Sequence, residues 1–147
     1  MQVFSRTTEY ALQAVCVLAE WAPSTVTTEE IARETDVPAS YLPKVLQSLR
    51  RAGIVRSWRG IRGGVALARE PTAISVLDVM DAVDPIERLK RCPPGCIAHG
   101  VGLCPMHSRV DSILAMCEDV FRPLSLADVL ADQTRKRPSR TIRPSKR

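Results

Sequence analysis

No stretch of this 147-residue chain approaches the roughly 18 consecutive apolar residues that a membrane-spanning helix needs. Its first ten residues, MQVFSRTTEY, lack the charged-then-apolar layout of a signal peptide. Both absences predict a cytoplasmic protein with no membrane partner. Internal repeats are missing too, which excludes a solenoid. Acid is absent from two stretches. Val37 to Arg69 holds seven Lys/Arg and no Asp or Glu, and residues 135–147 hold seven more, again with no acid. Those last seven cations turn a chain that is −2 over residues 1–134 into one that is +5 overall. Basic blocks on an otherwise slightly acidic chain point to nucleic acid, with a merely solvated basic surface as the plain alternative.

Regular structure is excluded from a third stretch. Residues 92–107 read CPPGCIAHGVGLCPMH, with two prolines and three glycines between Cys92 and Cys104. Three of the five cysteines of the chain lie here, and His107 closes the segment. Such a loop makes sense if its side chains converge on something. In a reducing cytosol, clustered cysteines are ligands or sensors rather than disulfide staples. Thiolates with an imidazole suit zinc or an iron–sulfur cluster, not calcium or magnesium. A Cys–His nucleophilic pair is the enzymatic alternative. Nothing in the sequence supplies an oxyanion hole or a substrate pocket, so the chain reads as a non-enzyme with no small-molecule substrate.

An apolar share of 45% is enough for one core. Residues 8–22 are apolar almost all round (Ala11, Leu12, Val15, Cys16, Leu18, Ala19, Ala22) and predict a buried helix that Pro23 ends. Thr27 to Glu30 is a capping box that opens a short helix through about Thr35. In SYLPKVLQSLRRAG, Leu42, Val45, Leu46 and Leu49 repeat at helical spacing, and Pro43 fits only a first turn, which places the N-cap near Ser40. Gly53 stops that helix. Its polar face offers Ser40, Lys44, Gln47 and Arg51, side chains suited to base edges and phosphates.

Two β-prone runs, IVRSWR and VALAR, flank a GIRGG turn and predict a hairpin with Arg59 and Arg62 at its tip. Two short helices followed by such a hairpin make a winged helix-turn-helix. Tyr41 joins the expected DNA-binding set of Ser40, Lys44, Gln47, Arg51, Arg59 and Arg62. Ser75 caps a further short helix to about Val83. Pro105 begins another, with Val110, Ile113, Leu114, Cys117, Val120, Phe121 and Leu124 at helical spacing. That stripe must bury against a second copy of the chain or against its own domain. Pro123 stops the helix, and Ser125 opens a short last one. The fold class is therefore mainly α with a small β-hairpin wing, plus a long C-terminal dimerisation helix. It divides into a DNA-binding unit, residues 1–84, a cysteine-rich loop with the dimerisation helix, residues 85–132, and a basic tail without regular structure, residues 133–147.

TEYAL at 8–12, the block at 30–57, RGIRGGVALAREP at 59–71, ISVLDVMDAV at 74–83, the cysteine loop and LADVL at 126–130 together resemble the BadM/Rrf-type winged-helix transcriptional regulators, the group of IscR, NsrR and CymR. The resemblance runs from about residue 1 to 132 and implies a homodimer that binds operator DNA, mostly as a repressor. It also implies an iron–sulfur cluster, 2Fe–2S in preference to 4Fe–4S, held by Cys92, Cys96 and Cys104. The fourth ligand is His107 by the IscR pattern, or Glu9, reached across the dimer, by the NsrR pattern. Such a centre would sense redox state, nitric oxide or iron. Two departures stand out. The C-x3-C-x7-C spacing shifts the middle cysteine, which leaves His99 as a substitute for Cys96, and Pro43 replaces a carboxylate of the IscR branch. Zinc, or thiols under the control of oxidation or a protein partner as in CymR, are the alternatives to a cluster. Cys16 and Cys117 lie on apolar stripes and read as small core residues.

Overall fold

Ser5 opens the first helix, its hydroxyl accepting the Thr8 N–H at 3.2 Å. The computed structural model describes residues 4–60, 63–94 and 102–136, with the backbone alone for 133–136. Helix α1 (Arg6–Glu20) buries Ala11, Ala14, Val15, Val17, Leu18 and Ala19. It stops at Glu20, ahead of Pro23, and leaves Leu12 and Cys16 half-buried and Ala22 exposed. Helix α2 (Thr28–Glu34) has its full capping box: the Thr27 hydroxyl accepts the Glu30 N–H at 3.2 Å, and the Glu30 carboxylate accepts the Thr27 N–H at 2.8 Å.

Helix α3 (Leu42–Arg51) buries all four residues of its apolar stripe, Leu42, Val45, Leu46 and Leu49. Each such side chain contributes roughly 1.5–3 kcal/mol. Its N-cap is Tyr41, next to Ser40 as expected, and no side chain caps it. The Tyr41 hydroxyl meets Thr7 Oγ1 of α1 at 3.0 Å and ties the start of α3 to α1. The helix closes as sequence predicts. Gly53 takes φ +69°, and the Gly53 and Ile54 N–H groups return to the carbonyls of Arg50 and Leu49.

Strands β1 (Val55–Trp58) and β2 (Gly64–Leu67) form the antiparallel wing, with Val55 opposite Leu67 and Trp58 opposite Gly64. Gly63 is required there, because a Cβ would come within 2.7 Å of the Trp58 carbonyl oxygen and 2.8 Å of that of Gly60. A short bridge from Val26 to Val65 ties the base of the wing to the segment before α2. A 3-10 turn at Pro71–Ala73 leads to helix α4 (Val76–Val83), capped by Ser75 with Asp78 at its third position. Helix α5 (Pro105–Phe121) follows the cysteine segment, and helix α6 (Leu126–Lys136) ends the described chain.

Helix α6 runs four residues beyond the expected end at Asp132. No Gly or Pro intervenes before Pro138. The rest of the basic tail, 137–147, lies outside the described residues. Leu126 is fully buried in the same core as Leu18, Leu42, Leu49 and Ile74, so α6 returns to the body built by α1, α3 and α4. Helix α5 is different: none of its residues is buried.

Candidate metal centre and nucleic-acid interface

Helix α5 begins at the cysteine segment. Cys104 is its N-cap and Pro105 its first residue, so His107 sits one turn inside. That spacing folds the imidazole back over the thiol, with Cys104 Sγ and His107 Nδ1 3.1 Å apart. Cys92 arrives from the other side of the loop, and its Sγ accepts the Cys104 N–H at 3.1 Å. One donor atom from each of Cys92, Cys104 and His107 lies within 4.8 Å of the others. Cys96 and His99 lie outside the described residues. Glu9, half-buried in the first turn of α1, is not part of the group.

Two sulfurs and one imidazole are a donor set for zinc or an iron–sulfur cluster. The backbone adds to the fit. Cys104 stands at the helix N-terminus, and its own N–H donates to Cys92 Sγ, which draws the two sulfurs together.

The segment that brings Cys92 in is pinned to α5. Arg88 donates from Nε and a terminal nitrogen to the two Asp111 oxygens at 2.7 and 2.6 Å, and the Leu89 N–H donates to Asp111 Oδ1 at 2.8 Å. The other terminal nitrogen of Arg88 lies 3.5 Å from Glu118. The Arg88 fork, helped by the Leu89 amide, holds the Asp111 carboxyl at about 2, below its ordinary range. Sequence reasoning missed both residues.

Ser40, Lys44, Gln47 and Arg51 are exposed on α3 and the turn before it. Tyr41 is half-buried: its hydroxyl meets Thr7, its ring packs edge-on to Tyr10 at 5.5 Å, and Lys44 Nζ stands 5.6 Å from the ring centre. Arg59 is exposed at the start of the wing loop, and Arg62 lies outside the described residues. Arg56 and Trp58 are exposed on β1, with the guanidinium 5.0 Å from the Trp58 ring centre. Sequence reasoning passed over this pair too, although an Arg and a Trp two apart in a strand share one face.

Residues 4–132 match the Rrf2 family, described as an iron-dependent transcriptional regulator. This chain belongs to the Rrf2 family. An HTH-type transcriptional regulator of Aquifex aeolicus is 30% identical over 131 residues, which cover 87% of this chain and 91% of that protein. Among solved structures, IscR of T. potens is 27% identical with a TM-score of 0.75, over 95% of this chain and 93% of that one. CymR, the global cysteine regulator of B. subtilis, is 25% identical with a TM-score of 0.72, over 90% and 98%. The Rrf2-family chain is thus a winged-helix transcriptional regulator, and α3 is its second helix of the helix-turn-helix. No helix among the described residues is long and apolar enough to cross a membrane.

Proposed function

We propose that this Rrf2-family regulator is a cytoplasmic homodimeric repressor whose operator binding is switched by an iron–sulfur cluster at Cys92, Cys96, Cys104 and His107. The observation that supports it most is the convergence of Cys92, Cys104 and His107 at the start of α5, in a family described as iron-dependent. When bound, a cluster supplies one-electron redox chemistry and a target for oxygen or nitric oxide. The chain supplies the rest. Cys104 offers its sulfur at the helix start, its N–H steadies the Cys92 sulfur, and His107 ties the site to α5. A neutral imidazole favours 2Fe–2S over 4Fe–4S.

Helix α5 leaves Met106, Val110, Ile113, Met116 and Val120 between 40% and 65% exposed, an apolar row along one side that fits a second copy of this chain. Paired copies present two α3 helices to a palindromic site. Ser40, Lys44, Gln47 and Arg51 read the major groove. Arg59 and Arg62, joined by Arg56 and Trp58, reach from the wing. Tyr41 acts mainly by holding α3 to α1 and Lys44 over its ring. Residues 1–84 read DNA, 85–132 sense and pair, and the basic tail adds general attraction to phosphates.

The fourth ligand decides the type of site. His107→Ala and Glu9→Ala, reconstituted anaerobically with iron and sulfide, separate the two choices by their visible spectra. Only the histidine variant should change. A change confined to the glutamate variant assigns the ligand to Glu9 of the opposite chain. The second reading is a regulator without a cluster, controlled by zinc, thiol oxidation or a protein partner, and the likeness in fold to CymR leaves room for it. A colourless, iron-free protein from anaerobic purification would select it.

A further inference from the structure

Arg88, Asp111 and Glu118 belong to no part of the ligand set or the DNA face, yet they make the densest polar contact among the described residues near the cysteine segment. Asp111 follows His107 by four residues and precedes Glu118 by seven, so all three share one stripe of α5. The chain leaving α4 is laid along that stripe. Arg88 takes Asp111 with a two-pronged fork and reaches Glu118 at 3.5 Å, and the Leu89 N–H closes on the same Asp111 carboxylate at 2.8 Å. Cys92 comes three residues later.

An exposed ion pair contributes little to global stability. What this one supplies is geometry. Three donors on one carboxylate, one of them a backbone amide, fix the register of residues 88–89 on the helix. Eleven residues separate Cys92 from Cys104, with two prolines and three glycines among them. Left to itself such a stretch samples many end-to-end distances, and closing it costs entropy whenever a ligand is captured. With Leu89 bonded to α5 and Cys104 at the start of the same helix, both ends of the loop are referred to one rigid element.

We propose that the Arg88–Asp111 fork is the positioning device of the metal centre, holding Cys92 beside Cys104 and His107 so that the half-site is assembled before any metal arrives. This rests on the ligand reading given above. Arg88 and Asp111 are positioning residues and do not touch the metal.

The test uses full-length reduced protein with Cys96→Ser, so that the paired thiols are Cys92 and Cys104. Phenylarsine oxide probes the pair directly: the arsenic takes both sulfurs, and its oxygen leaves as water with the two thiol protons. Cobalt(II) probes the ligand set through its thiolate charge-transfer absorbance. Arg88→Ala and Asp111→Asn should slow arsenical capture and weaken cobalt binding, each about tenfold, as removing a partner that orients ligands does. The shape of the cobalt spectrum and the circular dichroism of the fold should not move. Arg88→Lys keeps the charge without the fork and should fall between. Arg69→Ala, which removes the comparable Arg69–Asp78 pair at 3.6 Å elsewhere, should behave as the parent.

Parental capture rates in both fork variants would overturn the proposal. So would a parent that captures no faster than Cys92→Ser. If the parent ignores cobalt, or Cys104→Ser binds it equally well, the ligand reading fails, and the arsenical rates still decide the role of the fork.

Discussion

Asp111 and Cys16 sit at opposite ends of what an environment does to a side chain. The Arg88 fork first, and the Leu89 amide after it, hold the Asp111 carboxyl at about 2. An unfolded aspartate titrates near ~3.9, so this group stabilises the fold above that pH. The stabilisation is lost as pH falls from about 4 toward 2. Asp111→Asn should therefore flatten the drop in urea midpoint across that window, and equal slopes in the two proteins would contradict the assignment. Burial, and then the charge of Glu20, push the Cys16 thiol up to about 11. It should stay protonated and resist iodoacetamide at pH 8 in the native protein, while labelling rapidly in urea. Rapid native labelling, read by peptide mass, would contradict its packing. At the DNA face, Gln47→Ala should weaken specific binding by roughly 1–3 kcal/mol if the amide meets a base edge. Cys16 was read as a core residue because its neighbours Ala11, Val15 and Leu18 set the apolar period of α1, but it sits half-buried at the edge of that stripe. Asp111 was not legible, because a carboxylate on an exposed helix face looks the same whether or not an arginine 23 residues away closes on it.

Helices whose period and caps agree were legible element by element. The stripe of α3, the capping boxes of α2 and α4 and the Gly53 stop are all local signals, and all appear in the fold. The start of α3 was legible to within a residue, but the bond from Tyr41 to Thr7 of α1 that ties it down was not, because the partners lie 34 residues apart. Helix α5 shows the limit of periodicity. Its spacing gives a helix, but the stripe splits in three dimensions. Leu114, Cys117, Phe121 and Leu124 are half-buried, with Phe121 against Phe4 at 5.5 Å, while Val110, Ile113 and Val120 stay exposed beside Met106 and Met116. If that exposed row pairs two chains, Ile113→Asp should give a folded monomer in sedimentation, with its circular dichroism unchanged. A dimer that persists would place the interface elsewhere. Within the core, Leu49→Ala should cost about 2–5 kcal/mol in urea unfolding, because Leu49 is wholly buried beneath the DNA-reading face.

Whole-molecule organisation depends on residues far apart in sequence meeting in space. A bridge between Ser75 and Ser125 and the burial of Leu126 bring the chain back from α5 to the winged-helix body. The segment that leaves α4 is the one Arg88 pins to α5, and α4 itself packs against α3. One short path thus joins the candidate metal centre to α3, the helix proposed to read DNA, and no periodic pattern announces it. The basic tail belongs to this scale as well. Residues 137–147 carry five Lys/Arg. Deleting them should lower the log–log salt slope of DNA binding by up to about 0.9 for each phosphate the tail neutralises, without changing site choice. An unchanged slope would mean that the tail stays off the DNA. In the proposed switch, the metal centre governs operator binding. The most direct test is the affinity of one anaerobic preparation, cluster-loaded and then stripped, for a DNA site selected from a random pool by the purified protein. A difference of about tenfold or more between the two forms is predicted, and equal affinity would contradict the switch.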